Sequence, residues 1–352
     1  MNPEHRRYTQ PSKKPNISQV AELAGVSTAT VSRVLGDQDG VSQEMIDKVK
    51  NAVLILNYHP NRSARNLRKQ VAQTIGVIIS DIENPFFTSV MRGIEKVLYD
   101  AGFSLLLCNS DEDPKRERTH LSTLCSEGVA GIILTASQLD LDFICEYRKT
   151  GIQFVAIDRA QDEQCMDVVT VTNKQGAFNA TSHLCELGHR RIGLISGPQQ
   201  PSTSRERQEG FLEAIQSYGL VSEPELIKSG NFRQNGGYEA MLALLDLPVP
   251  PTAVMVSNNL MTLGALQAIH ERNMKIPDQI AVVGFDDMPW ATSLQPPLTA
   301  VAQPTFELGV TAAQLLLERL KEPDRPFRHV VLETHLMVRT SCGLGIDNRT
   351  EQ

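Results

Sequence analysis

From Ile17 onward the chain shows two textures, and each predicts its own kind of element. In the first, apolar residues recur at helical spacing. Ile17, Val20, Ala21, Leu23 and Ala24 fall on one stripe, and Gly25 follows where a helix needs a left-handed stop. Ser27 then stands as the N-cap of a second short helix within VSTATVSRVLG, whose apolar side is Val26, Val31, Val34 and Leu35. Ser42 caps a third, with Met45, Ile46, Val49, Val53, Leu54 and Leu56 as its buried side. Three short helices, the first two joined by a tight glycine turn, predict a helix-turn-helix head.

Beyond Gln73 the texture changes. TIGVIIS, SLLLCN, GIILT, FVAID, RIGLIS, AVMVS and IAVVGFD are short runs rich in Val and Ile, each reading as a strand buried on both faces. They alternate with amphipathic stretches at 90–101, 117–127, 176–187, 207–218 and 260–272. Such alternation predicts parallel sheets with right-handed crossovers. There are too many units for one doubly wound sheet, so two α/β lobes are expected. The strand–helix rhythm restarts near Asn173. The resulting division is a polar tail over 1–15, a head over 16–61 and a hinge and linker over 62–73. An effector-binding and dimerisation domain follows over 74–341, then a tail over 342–352. Within it the N-lobe takes about 74–172 and 305–327, and the C-lobe about 173–302 and 328–341. In such folds, ligands sit beyond the carboxyl ends of the strands.

Charge sharpens the division. Of 34 Lys and Arg and 41 Asp and Glu, eleven cations and six anions fall in residues 1–70, leaving 23 against 35 in the remainder. A basic head on an acidic body suits a polyanion met by the head alone, although a basic disordered tail would give the same imbalance. No apolar run is long enough for a membrane span, and MNPEHRRYTQPSKKP is not a secretory signal. The six cysteines are scattered without a CxxC pair, which favours reduced thiols in a cytoplasmic protein over a metal site or disulfide frame. No phosphate-binding loop, GxGxxG, GxSxG or HExxH occurs, and His183 and His189 lack metal spacing. The expectation is therefore no enzyme, no cofactor and no metal.

ISQVAELAGVSTATVSRVLG, continued by VSQEMIDKVKNAVLILNYHPNRSARNLRKQ, closely resembles the DNA-binding head of the lactose repressor family of bacterial transcription regulators. IGVIISDIENPFF, AIDR, GHRRIGLISG, RERQEGF, IAVVGFDDMPWA and PPLTAVAQP extend the resemblance across the body. It implies a three-helix head with a hinge helix, followed by two lobes like those of periplasmic binding proteins. It also implies a repressor that binds near-palindromic double-stranded operator DNA as a homodimer, released by a small effector held between the lobes. A purine-type regulator, in which ligand strengthens DNA binding, is the alternative.

The resemblance places Thr28, Ala29 and Arg33 against bases. The chemistry agrees, since Arg can donate two hydrogen bonds to guanine, worth about 1–3 kcal/mol of discrimination. Ser27, Thr30 and Ser32 read as caps or phosphate contacts, or as mere surface solvation for the last two. Asn57, Tyr58, Asn61, Arg62, Ser63 and Ala64 offer further DNA contacts, and Leu67 matches the leucine that wedges into the minor groove.

For the effector, the resemblance and the strand-end positions point to Asn84, Phe86, Phe87, Asp158, Arg159, Arg205, Arg207, Phe232 and Asn259. Gln303 is a weaker candidate, Asp286 is structural or ligand-binding, and Trp290 belongs to core or pocket. Asn259 stands where the family usually has Asp. With Arg159 and Arg207 retained, that loss opens the site to a sugar acid such as gluconate or a ketogluconate beside a neutral sugar. The chain ends CGLGIDNRTEQ without a heptad, which favours a dimer over a tetramer.

Overall fold

The computed structural model describes residues 15–35, 40–56, 58, 73–136, 141–159 and 165–343. They form two compact units that divide between Ala72 and Gln73.

The first unit is a three-helix head: α1 (Ile17–Ala24), α2 (Thr28–Val34) and α3 (Gln43–Ile55). Asn16 and Gln19 close the start of α1 with a capping box. Gly25 ends it at φ 66°, a conformation that costs glycine nothing. Ser27 caps α2, its Oγ accepting from the Thr30 amide at 3.1 Å. Val20, Val31 and Val49 meet in a seam with Ala21, Ala24, Val34 and Ala52. That seam is narrower than the periodicity implied, because Leu23, Met45 and Leu54 are exposed. Leu54 lies two residues past Ala52, about 200° around the helix, so both cannot face one small core.

The second unit has two lobes. The N-lobe sheet contains β1 (Thr74–Ile79), β2 (Ser104–Asn109), β3 (Gly131–Leu134), β4 (Gln153–Ile157), β5 (Asp167–Val171) and β11 (His329–Leu332). Its order is β11-β5-β4-β3-β1-β2, parallel throughout. The C-lobe sheet contains β6 (Ile192–Ser196), β7 (Ile227–Ser229), β8 (Ala253–Val256), β9 (Ala281–Phe285), β10 (Thr299–Ala302) and β12 (His335–Met337). Its order is β12-β10-β9-β8-β6-β7, with only β12 antiparallel.

Helices α4 (Pro85–Asp100), α5 (Pro114–Ser126), α6 (Leu141–Arg148) and α11 (Thr305–Lys321) belong to the N-lobe. Those of the C-lobe are α7 (Asn173–Glu186), α8 (Ser202–Ser217), α9 (Gln234–Leu245) and α10 (Asn259–Glu271). In the N-lobe, α4 and α11 pack backbone to backbone. A Cβ on Gly93 would stand 2.1 Å from the Phe306 carbonyl oxygen, so only glycine fits there.

Three of the sequence expectations need correction. β2 is the edge of its sheet, paired on one side only, and Leu106 and Leu107 are exposed. Its unbroken apolar run does not mark burial on both faces. The second return to the C-lobe falls after Leu332 rather than before His329, because β11 pairs with β5. Finally, Cys145 and Cys165 are joined as a disulfide with Cα atoms 5.8 Å apart. Spacing could not show this, because the β–α–β connection folds α6 back to the start of β5. Cys108, Cys125, Cys185 and Cys342 are not joined in a disulfide.

The chain passes between the lobes at Thr172, at 303–304 and at 333–334. Two of these passages are tied together: the Thr334 amide donates to Thr172 Oγ at 2.9 Å, and the two hydroxyls lie 3.0 Å apart.

Candidate functional site

On the head, Thr28, Ala29 and Arg33 are exposed while Val31 and Val34 face the core. The outer side of α2 thus presents a donor, a methyl and a guanidinium. The Ser27 and Thr30 hydroxyls lie 2.9 Å apart, so both serve the start of the helix. Tyr58 packs part-buried against the head core, its amide donating to Val53. Asn57, Asn61, Arg62, Ser63, Ala64 and Leu67 lie outside the described residues.

In the second unit, loops from both lobes converge on a cleft. From the N-lobe, β1 leads to Asp81 and Asn84, β2 to Glu112, and β4 to Asp158 and Arg159. From the C-lobe, α8 supplies Thr203 and Arg207, β7 leads to Phe232 and Arg233, β8 to Asn258, and β9 to Asp286. Gln303 lines it from the passage after β10. The backbone is under strain here. Asp158, Phe232 and Asp286 have φ of 67°, 63° and 72°, and Asp111 and Glu112 have 59° and 57°. Of the six non-glycine residues with positive φ among those described, Asn273 alone is neither in the lining nor next to it. Such strain persists where surrounding structure holds a functional geometry.

Asn84 caps α4, its Oδ1 accepting from the Phe86 amide at 2.9 Å. This turns Phe86 and Phe87 inward, edge to face at 5.0 Å, so that both pack in the N-lobe core and line the cleft. Arg207 lies flat on Phe285, 3.8 Å from its centroid. Its Nε donates to Asn173 Oδ1 at 2.9 Å and its Nη1 to the Ser257 carbonyl at 2.6 Å. Asp286 accepts from Gln303 Nε2 and from the Asn259 amide.

The lining carries three guanidiniums, on Arg159, Arg207 and Arg233, against four carboxylates, on Asp81, Glu112, Asp158 and Asp286. Two of the three cations are engaged by acids. Arg159 is held by both oxygens of Glu112, at 2.8 and 2.5 Å. Arg233 reaches across the cleft to Asp111, with Asp81 at 4.0 Å. Burial raises the Asp158 carboxyl to about 6, with Arg159 and Arg207 pulling it back. It raises Asp286 as well, and lowers Arg207. For Arg159 burial pulls downward, but the hydrogen bonds and charge of Glu112 outweigh it and leave the guanidinium raised.

Nine of the twelve expected effector residues line the cleft: Asn84, Phe86, Phe87, Asp158, Arg159, Arg207, Phe232, Asp286 and Gln303. Three do not. Arg205 points outward and donates to the Gln199 and Gln200 carbonyls. Trp290 packs on the C-lobe core. Asn259 is buried one layer behind the lining, donating to Asn84 Oδ1 at 2.8 Å. Of the two guanidiniums that would receive a sugar acid, Arg159 is occupied by Glu112. Asp81, Glu112, Thr203, Arg233 and Asn258 were missed. All but Thr203 follow a strand, and Thr203 lies one helical turn before Arg207, so position alone could have found them. Among the described residues no cluster of His, Cys, Asp and Glu could hold a metal ion. His189 bonds Thr252 and His183 bonds Cys342, both as packing contacts.

Comparison with known proteins fits this geometry. Residues 16–61 match the model of bacterial regulatory proteins of the lacI family, and 181–342 match a periplasmic binding protein-like domain. The ribose operon repressor of Escherichia coli K12 is 35% identical over 93% of this chain and 99% of its own. The repressor PurR of Actinobacillus pleuropneumoniae serotype 3 is 34% identical over 92% of this chain and 97% of its own. The lac repressor dimer bound to operator and the anti-inducer ONPF superposes with a TM-score of 0.81. That match is at 28% identity and covers 94% of this chain and 99% of the repressor. The curated relatives are transcriptional repressors, not enzymes.

Proposed function

Because the chain belongs to the lacI family of bacterial regulatory proteins, DNA-binding repressors with a ligand-binding body, we propose that its effector is a small neutral sugar and that the sugar releases it from its operator. The observation that carries this reading is the charge balance of the cleft, in which four carboxylates face three guanidiniums. Carboxylates at strand ends accept pairs of sugar hydroxyls, Arg207 donates to others, and Phe86, Phe87 and Phe232 offer apolar faces to the sugar ring. A sugar acid is the weaker reading, since a further anion would meet an existing excess of anions.

On DNA, Arg33 reads a guanine, Thr28 and Ala29 meet neighbouring base edges, and Ser27, Thr30 and Ser32 position the helix. Asn57, Tyr58, Asn61, Arg62, Ser63 and Ala64 add contacts, and Leu67 wedges into the minor groove. A homodimer places two heads on a near-palindromic site. Effector closing the cleft turns the lobes about the tied passages at Thr172 and Thr334, and the segment between head and body passes the change on. The purine-type alternative keeps one supporting observation, the PurR relative.

The experiment is selection of an operator from a random duplex library, followed by titration with variants. Arg33→Ala is expected to relax specificity at one base pair of each half-site. Leu67→Ala is expected to weaken binding to every sequence while leaving effector binding intact. Unchanged operator affinity in both variants would defeat the DNA assignments.

A further inference from the structure

We propose that Glu112 is the residue that sets the charge preference of the cleft: by occupying both arms of Arg159, it excludes effectors that carry a carboxylate. This rests on the reading of the cleft as a sugar site. The pair is built for that role. The Arg159 side chain is 4% exposed and that of Glu112 22%. The two meet as a fork on a carboxylate, at 2.8 and 2.5 Å. A ligand carboxylate would seek the same geometry on Arg159, so the two acids compete for one guanidinium.

The backbone fixes Glu112 in place. Asp111 and Glu112 are consecutive left-handed residues, a conformation that L side chains adopt at a cost. Three bonds hold the turn. The Glu112 amide donates to the Ser80 carbonyl at 3.0 Å, Arg116 reaches one oxygen of Asp111 at 3.2 Å, and Arg233 of the opposite lobe takes the other. Glu112 is therefore presented to Arg159 by a braced turn rather than by a free side chain. Of the other two guanidiniums in the lining, Arg233 is engaged by Asp111, and Arg207 keeps donors toward the cleft but feels the negative charges of Asp158 and Asp286. A second acid there would add to that negative charge. The neutral-sugar preference thus depends on one carboxylate that the sugar itself need not touch.

The test compares each aldose with its own aldonate, D-ribose with D-ribonate and D-glucose with D-gluconate, by titration calorimetry on the full-length protein. The wild type is expected to favour the aldose. Glu112→Gln, which keeps the shape but loses the charge, is expected to move the aldose-to-aldonate ratio toward the acid by about tenfold or more. Glu112→Asp keeps the charge and is expected to retain the wild-type order. The double variant Glu112→Gln with Arg159→Gln is expected to lose the gain, which separates exposure of Arg159 from a general loosening of the cleft. An unchanged ratio in Glu112→Gln overturns the proposal, as does a gain that survives in the double variant.

If the wild type binds neither member of either pair, the sugar reading fails and formate becomes the probe. Formate that raises the melting temperature of Glu112→Gln but not of the wild type then supports the role of Glu112, and an equal effect on both overturns it. Should Glu112→Gln not fold, Glu112→Ala refolded in formate tests the same vacancy. Recovery of the native melt with formate but not with chloride supports the role, and no difference between the two anions overturns it.

Discussion

Asn84 and Asn259, 175 positions apart, meet just behind the cleft lining, where the Asn259 side-chain amide donates to Asn84 Oδ1 at 2.8 Å. The orientation of the pair is fixed from one side. Asn84 Oδ1 also accepts from the Phe86 amide, so turning the Asn84 group over would uncap α4. Asn259 must then be the donor. This accounts physically for amide rather than acid at position 259: a carboxylate there would set acceptor against acceptor between the lobes.

The two positions should therefore respond unequally to the same change. Asn259→Asp removes the donor and is expected to weaken effector binding by about tenfold, chiefly through faster release. Asn84→Asp keeps both acceptor roles and is expected to have a much smaller effect. Stopped-flow measurement of binding and release for both variants checks the asymmetry, and equal losses would contradict it.

Arg207 is expected to matter to the effector and not to DNA. Arg207→Met keeps a chain to pack on Phe285 but removes the donors to Asn173 and Ser257 and those facing the cleft. Effector affinity should fall about 10- to 100-fold while operator affinity without effector stays at the wild-type level. Parallel calorimetry and operator titration report the two.

Asp158 gives stability a pH dependence of known sign. Burial raises its carboxyl from 3.8 to about 6, so the folded chain holds a proton that the unfolded chain has released. That contribution is fully present below 3.8 and is lost as pH rises through about 6. Asp158→Asn should remove it. Urea denaturation of both proteins at steps from pH 4 to pH 7 should show the wild type losing more stability than the variant over this window.

Trp290, the only tryptophan, packs with the C-lobe core and is absent from the cleft lining. Saturating effector is accordingly expected to leave its fluorescence free of direct quenching. Strong quenching at saturation would put it in contact with ligand.

Much of this architecture was legible because single residues determine single features. Gly25 stops α1 because only a left-handed residue turns the chain there, and Ser27 starts α2 with one hydrogen bond. Seven apolar runs marked seven of the twelve strands among the described residues, and the strand-end rule together with the family resemblance marked nine of the cleft residues. What stayed hidden depends on partners far along the chain. Arg159 read as a spare cation because Glu112, 47 residues away, does not announce its partner. Cys145 and Cys165 are 20 apart with no spacing signature, and the lobe of 329–332 is unreadable locally because pairing with β5 leaves no mark in the sequence. The exposure of Leu54, Leu106 and Leu107 was unreadable for a related reason, since an apolar side chain looks the same at an edge as in a core.

The most direct test of the account is the affinity of the selected operator for the full-length protein with and without D-ribose and D-glucose at saturating concentration. At least one neutral sugar is expected to lower operator affinity by about tenfold or more, with the corresponding aldonate leaving it unchanged. A sugar that tightens operator binding, or an operator affinity that neither sugar alters, would contradict it.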